Sequence, residues 1–297
     1  MNGPPELQSG WHAVPNEIFT LGHSPDPDDA FMFYAMAANK IDLRGYRFEH
    51  RLEDIQTLNE HALRAELHIS AISIHAYAYI TETYALLPCG ASMGDGYGPL
   101  IVAAEVDSAK ESEPRDWLRD KLIAVPGEMT SAFLALRLYL EDFRHVVVPF
   151  DQIFEAVKTG RAEAGLIIHE GQLTYAGAGF RKVIDLGEWW MKRTGLPLPL
   201  GGNVVRKDIP PEIRRDLGII VRESIEFGLA HRAEALEHSM PYARDMDSAL
   251  ASKFIGMYVN DYTRDYGETG REAIRRFLGE AGAAGHINRD IAIEFVG

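Results

Sequence analysis

Short apolar, β-branched runs alternate with helical periods along the first two thirds of the chain, and each run ends in a polar turn that opens a helix. That alternation predicts β/α units and parallel pairing, because consecutive parallel strands need a helical crossover between them. FTLGH is followed by the turn SPDPDD and the apolar helix AFMFYAMAANK. YRFEHRL reads as a half-buried strand, DIQTLNEHALRAEL as a helix, HISAISI as a strand and HAYAYITETY as a short helix. The glycine-rich stretch GASMGDGYGPLIVAA breaks the pattern, which then resumes. KLIAVPG, HVVVPF, EAGLIIHE and KVIDLG are strand candidates, with helices TSAFLALRLYLEDF, DQIFEAVKTG and EWWMKRTG between or after them. LPLPLGGNVV would carry the chain back. Beyond Pro210 and Pro211 the sequence is nearly all helical to about Gly285, and IEFVG adds a last strand.

These elements predict an α/β chain of two lobes, the second inserted into the first, with glycine-rich crossings near residues 98 and 202 that suit a hinge. Residues 1–17 read as a flexible leader, 18–98 with 203–297 as the first lobe, and 99–202 as the second. A single doubly wound domain with a helical tail fits the same periodicity.

The 297 residues carry 30 Lys and Arg against 44 Asp and Glu, a formal net charge of -14. This disfavours nucleic-acid and anionic-membrane partners, which need a basic surface. No apolar run approaches the ~20 residues of a spanning helix, and the start shows no signal-peptide pattern, so a cytoplasmic protein is expected. Cys89 is the single cysteine and excludes an internal disulfide.

Chemistry is expected at strand-to-helix junctions, where helix N-termini present free amides. In His23-Ser24-Pro25-Asp26-Pro27-Asp28-Asp29, Ser24, Asp26 or Asp28 suits a helix cap, and Ser24 and Asp28 suit a cleft-facing pair. A hard-cation site there is set aside because the prolines fix an extended path. At Gly127-Glu128-Met129-Thr130-Ser131-Ala132, hydroxyls and amides suit a carboxylate or phosphate oxygen, though the P-loop spacing is absent. His169 closes the strand before Glu170, where an imidazole can act as a base or simply bond backbone. Ser73 ends another strand, facing the cleft or paired to the backbone. His50, His61 and His68 lack metal-helix spacing. Cys89 has no activating neighbour in sequence, no esterase elbow is present, and Trp189 and Trp190 read first as core.

The segments SPDPDDAFMFYAM, LEDIQTLNEHAL, VPGEMTSAFLAL, AGLIIHEGQLTY and DLGEWWMKRTGLPLPLG occur in the order of the 1,4-dihydroxy-6-naphthoate synthase family of menaquinone biosynthesis, which the chain resembles from Phe19 to Val205. The resemblance implies a fold like the type II periplasmic binding proteins, with ligand between the lobes. It implies a carbon–carbon lyase that forms 1,4-dihydroxy-6-naphthoate and dihydroxyacetone from cyclic dehypoxanthinyl futalosine, without cofactor or metal. His169 falls on the family's proposed base. Positions that touch a small carboxylate substrate fall on Ala71, Ile72 and Ser73, and on Ser131 and Ala132 beside Thr130. Ser24 and Asp28 lie in the signature loop. Where the family loop reads SPCPNDTF, this chain has Asp26, Asp28 and Ala30. Ala71 stands for a lysine of some members, and Asp95 for an arginine, changes expected to load the cleft with negative charge. A homodimer is left open as the assembly. Other readings of the fold are a solute-binding protein without catalysis and chorismate dehydratase, from which the IIHEGQLTY segment points away.

Overall fold

The computed structural model describes residues 18–105, 113–244 and 246–297, so the expected leader lies outside the described residues. The described residues form eleven strands: β1 (Ile18–His23), β2 (Arg47–Leu52), β3 (Ile69–Ser73), β4 (Tyr84–Leu86), β5 (Ser92–Gly94), β6 (Leu100–Ala103), β7 (Leu122–Val125), β8 (Arg144–Val147), β9 (Ala164–Ile167), β10 (Arg181–Asp185) and β11 (Leu198–Arg206). They form two sheets. The first runs β2-β1-β3-β11-β4, with β5 also on β11; the second runs β10-β6-β9-β7-β8.

In the first sheet β1 pairs in parallel with β2 and β3, and β11 returns antiparallel against β3. In the second, β7 lies parallel to β8 and β9, while β6 and β10 run antiparallel. The buried strands are the unbroken apolar ones: β3, β6 and β9 are buried at every residue. Strand β2, at an edge, buries none of its six residues fully, as expected of a strand with one neighbour.

The chain crosses between sheets at 94–100 and again between β10 and β11. Because the whole of β11 pairs within the first sheet, the return lies ahead of the point expected near residue 202. The crossings touch backbone to backbone: a Cβ on Gly187 would sit 1.9 Å from the Tyr97 carbonyl oxygen, and the Leu186 amide donates to the Pro99 carbonyl at 3.0 Å. No side chain fits at Gly187.

Three local expectations change. The helix expected over AFMFYAMAANK is two pieces, Pro27–Met32 and Tyr34–Ala37, separated at Phe33. Strands β4 and β5 went unseen, because three residues each are too short to show a period. The last strand reduces to one bridge, Leu86 to Phe295. The helical tail is as expected, led by a 20-residue helix at Pro211–Ala230 whose Leu217, Ile220, Val221 and Ile225 are buried against the first sheet's helices. No helix of the described residues is long and apolar enough to cross a membrane.

Candidate active site

A cavity with about 770 Å³ of open space lies where the carboxyl ends of β1, β3 and β9 approach the start of the Ser131–Leu140 helix, the usual ligand position in such sheets. Its wall contains Ser24, Asp28, Ala71, Ile72, Ser73, Thr130, Ser131, Ala132 and His169. It also contains Asp26, expected to add charge to the cleft, and Asp29, Asn203, Phe254 and Tyr258, which sequence reasoning did not place there.

His169 lies two residues beyond the end of β9. Its Nδ1 is 3.1 Å from Asp26 Oδ2, while Nε2 is buried and meets no partner among the described residues. With Nδ1–H turned to a carboxylate, the neutral ring keeps its lone pair on Nε2. The Phe150 ring lies against the imidazole, with centroids 4.2 Å apart. Burial disfavours the imidazolium, but the Asp26 charge and hydrogen bond outweigh it, with a further contribution from Glu170, and raise the His169 pKa above its ordinary value.

Asp26 occupies the N-cap position of Pro27–Met32, as the sequence allows, but makes no capping bond. Its oxygens are used elsewhere: Oδ2 also accepts from the Ser24 hydroxyl at 2.8 Å, and Oδ1 accepts from Arg244 Nη2 at 2.8 Å. Burial opposes the Asp26 charge; His169, Arg244 and Ser24 together hold the carboxyl well below the usual range. Arg244 Nη1 also donates to both Glu170 oxygens, at 2.9 and 2.8 Å. Ligand-capable atoms of Asp26, His169 and Glu170 come within 4.8 Å of one another, and the Arg244 guanidinium supplies the cation shared by the two carboxylates.

The negative load expected in the cleft is therefore much reduced. Burial, and then the charges of Asp29 and Asp26, push the Asp28 pKa well above the usual carboxylate range and so favour its protonated form. Burial raises Asp29 to about 7, against the bond its Oδ2 accepts from the Ser24 amide at 2.6 Å. Asp95 is exposed and is absent from the cavity wall.

The opposite wall is the helix tip. The Thr130 hydroxyl accepts from the Phe133 amide and donates to the Gly127 carbonyl. Ser131 is more committed than expected: its hydroxyl donates to the Leu200 carbonyl at 2.5 Å and accepts from the His75 amide at 3.1 Å. What the tip offers a ligand is the backbone amides of Ser131 and Ala132, which have no acceptor within the helix. Ser73 adds a hydroxyl. Its oxygen accepts from Asn59 Nδ2 at 3.1 Å and its amide donates to Asn59 Oδ1 at 2.8 Å, which leaves the hydroxyl proton to donate elsewhere. Ala71 and Ile72 line the cavity from the same strand, with the Ile72 side chain fully buried in the core.

His23 does not join the cavity wall; its Nε2 is 3.0 Å from His50 Nδ1, and burial lowers its pKa to about 3. Trp190 is wholly buried in the core, and Cys89 is buried. Of the residues that sequence reasoning missed, Asp29 lies in the signature loop itself, whereas Asn203, Phe254, Tyr258 and the Asp26 partner Arg244 reach the site from far along the chain. Arg244 and Tyr258 belong to the tail, where the pattern shows only helices. Tyr258 donates to Gln172 Oε1 at 2.6 Å and so joins the tail to the second sheet's side.

The family profile described as menaquinone biosynthesis matches residues 19–283. A Thermus thermophilus protein named 1,4-dihydroxy-6-naphtoate synthase is 39% identical over 269 residues, covering 91% of this chain and 96% of its own. A crystal structure of an Archaeoglobus fulgidus protein superposes with a TM-score of 0.86 at 44% identity, over 93% of this chain and all of that one. A Candida albicans protein described as having the generic periplasmic binding protein fold gives a TM-score of 0.69 at 13% identity over 92% of each chain. The last likeness bears on the fold alone: two α/β lobes with a cleft between them.

Proposed function

Because the chain belongs to the menaquinone-biosynthesis family, we propose that it is a carbon–carbon lyase converting cyclic dehypoxanthinyl futalosine to 1,4-dihydroxy-6-naphthoate and dihydroxyacetone, with His169 as the general base. One observation carries the assignment of the base: a buried imidazole on the cavity wall whose Nδ1 faces Asp26 and whose Nε2 has no partner among the described residues.

In this reading Nε2 takes the proton from a hydroxyl on the sugar part of the substrate. A carbonyl forms at that carbon, the adjacent C–C bond breaks, and the electron pair moves into the ring system, whose aromatisation drives the step. Asp26 holds the ring in the productive tautomer and stabilises the imidazolium as it forms. The substrate carboxylate sits at the Ser131 and Ala132 amides, where the helix N-terminus favours an anion, with the Ser73 hydroxyl as a further donor. Burial favours the protonated form of Asp28, which donates to a substrate oxygen where a carboxylate would repel it. A cytoplasmic site of action goes with this reading.

The test is direct. Purified protein incubated with the cyclic precursor should yield 1,4-dihydroxy-6-naphthoate, identified by chromatography and mass. Saturable binding of the precursor with no product after long incubation would instead support a binding protein on this fold.

A further inference from the structure

We propose that Arg244 is a positioning residue that ties the two lobes together across the cavity and holds Asp26 in place against His169, so that the base is set only when the lobes are shut. The inference rests on the reading of His169 as the base, and its geometry is independent of the substrate's identity.

Arg244 lies between the helical turn Met240–Tyr242 and the helix Ser248–Tyr258. The preceding helix, Arg232–Ser239, is fastened to the first sheet's side: Arg232 lies over the Phe31 ring at 5.6 Å, and Glu234 accepts from the Tyr34 hydroxyl at 3.1 Å. From that base the Arg244 guanidinium reaches both sides of the cleft. It meets Asp26, which follows β1, and Glu170, which follows β9. It also lies over the Phe150 ring, 4.8 Å from its centre, and Phe150 in turn packs on the His169 ring. A planar fork with two carboxylates and an aromatic face is a use that lysine cannot reproduce.

Two details suggest a functional contact. Arg244 has φ of 48°, a left-handed conformation that a side-chain-bearing residue adopts at a cost of about 1 kcal/mol or more and that is retained where the surroundings demand it. Asp26 also divides its two oxygens: Oδ1 faces Arg244, and Oδ2 faces His169. Removing the guanidinium frees the carboxylate to turn, and the bond between the two sides at Glu170 is lost with it. The charged and titratable groups around the His169 ring are Asp26, Glu170 and Arg244, with Asp28 and Asp29 on the Asp26 loop; Arg244 is the cation that opposes its protonation.

The experiment compares wild type, Arg244→Gln, Arg244→Lys and Glu170→Gln, each first checked for a folded circular-dichroism spectrum. Three quantities are read: kcat and KM with the cyclic precursor, the NMR titration of the His169 ring (assigned with His169→Gln), and the radius of gyration by small-angle scattering in the presence of 1,4-dihydroxy-6-naphthoate. Arg244→Gln should lower kcat roughly 10- to 100-fold, more than it raises KM. It should move the His169 titration to lower pH, because the loss of the Asp26 contact outweighs the loss of the Arg244 charge, and it should enlarge the molecule. Arg244→Lys should recover part of kcat, and Glu170→Gln should enlarge the molecule and move the His169 titration to lower pH, since the Glu170 charge raises it. An unchanged kcat, a rise in KM only, a His169 titration that moves to higher pH, or a loss of kcat with unmoved titration and unmoved size would overturn the proposal; if Arg244→Gln does not fold, the same outcomes are read from Arg244→Lys and Glu170→Gln. If the wild type forms no product, the lyase reading fails, while the titration and scattering still decide whether Arg244 ties the lobes.

Discussion

His169 Nδ1 and Asp26 Oδ2 stand 3.1 Å apart across the cleft, one at the end of a strand in the second sheet and the other beyond a strand in the first. Neither side of the molecule contains the pair by itself. A base whose orienting carboxylate comes from the facing side exists only in the shut arrangement, and closure then also shields the reacting intermediate from water.

His169→Gln should lower kcat with the cyclic precursor about 10²- to 10⁴-fold, the usual worth of a positioned base, while calorimetric affinity for 1,4-dihydroxy-6-naphthoate changes little. Turnover at the wild-type rate would end the assignment.

Asp26→Asn should cost kcat roughly 10²- to 10⁴-fold by losing the tautomer in which Nε2 is free. The direction of the pH effect is a separate check. Asp26 raises the His169 pKa, so its neutralisation lowers that pKa, and the acid limb of kcat/KM should move to lower pH.

Asp29→Asn tests the buried acid. The folded carboxyl holds its proton up to about pH 7, against an ordinary value of 3.8. The folded form therefore binds the proton more tightly than the unfolded one, and the stability this contributes is present below pH 4 and lost as pH rises to 7. The variant escapes that loss. Its denaturation midpoint should exceed the wild type's at pH 8 by the equivalent of about 1–2 kcal/mol, and the excess should shrink at pH 4. Asp26 acts in the opposite sense and only in acid, because its depressed pKa withdraws stability as pH falls below 4.

Ser73→Ala removes a hydroxyl whose proton is unclaimed by Asn59. We expect KM to rise about 5- to 10-fold with kcat within threefold, in line with about 1 kcal/mol for one hydrogen bond. Steady-state kinetics decides this, and a loss confined to kcat would move Ser73 from binding to chemistry.

Cys89 is fully buried, and burial pushes its thiol up to about 12. A thiol reagent at pH 8 should label it at the rate of unfolding and not before. Rapid labelling of native protein would show that the core around β4 and the Pro211–Ala230 helix opens locally.

Periodicity made much of the architecture legible. The apolar runs of β3 and β9 had to be interior strands, Thr130 or Ser131 had to cap a helix, which Thr130 does, and the tail after Pro211 had to be helical. Strand-to-helix junctions then showed where a ligand would lie, since free amides and strand ends coincide there. The periodicity did not show β4 and β5, which are too short for it to register.

Charge was misread in sequence for a physical reason. Asp26, Asp28, Asp29 and Asp95 look alike as letters, but protonation depends on burial and on neighbours supplied by other parts of the chain. Asp26 is held charged because His169 and Arg244 meet it, Asp28 and Asp29 are pushed towards their protonated forms first by burial and then by neighbouring aspartates, and Asp95 stays in solvent. Local propensity and alternation belong to neighbouring residues, so the strands, the helices and the segment that ends in His169 were decided by sequence alone. The partner that orients His169, the cation shared across the cleft and the charge states of the acids are contacts between segments distant in the chain, and only the tertiary structure decided them.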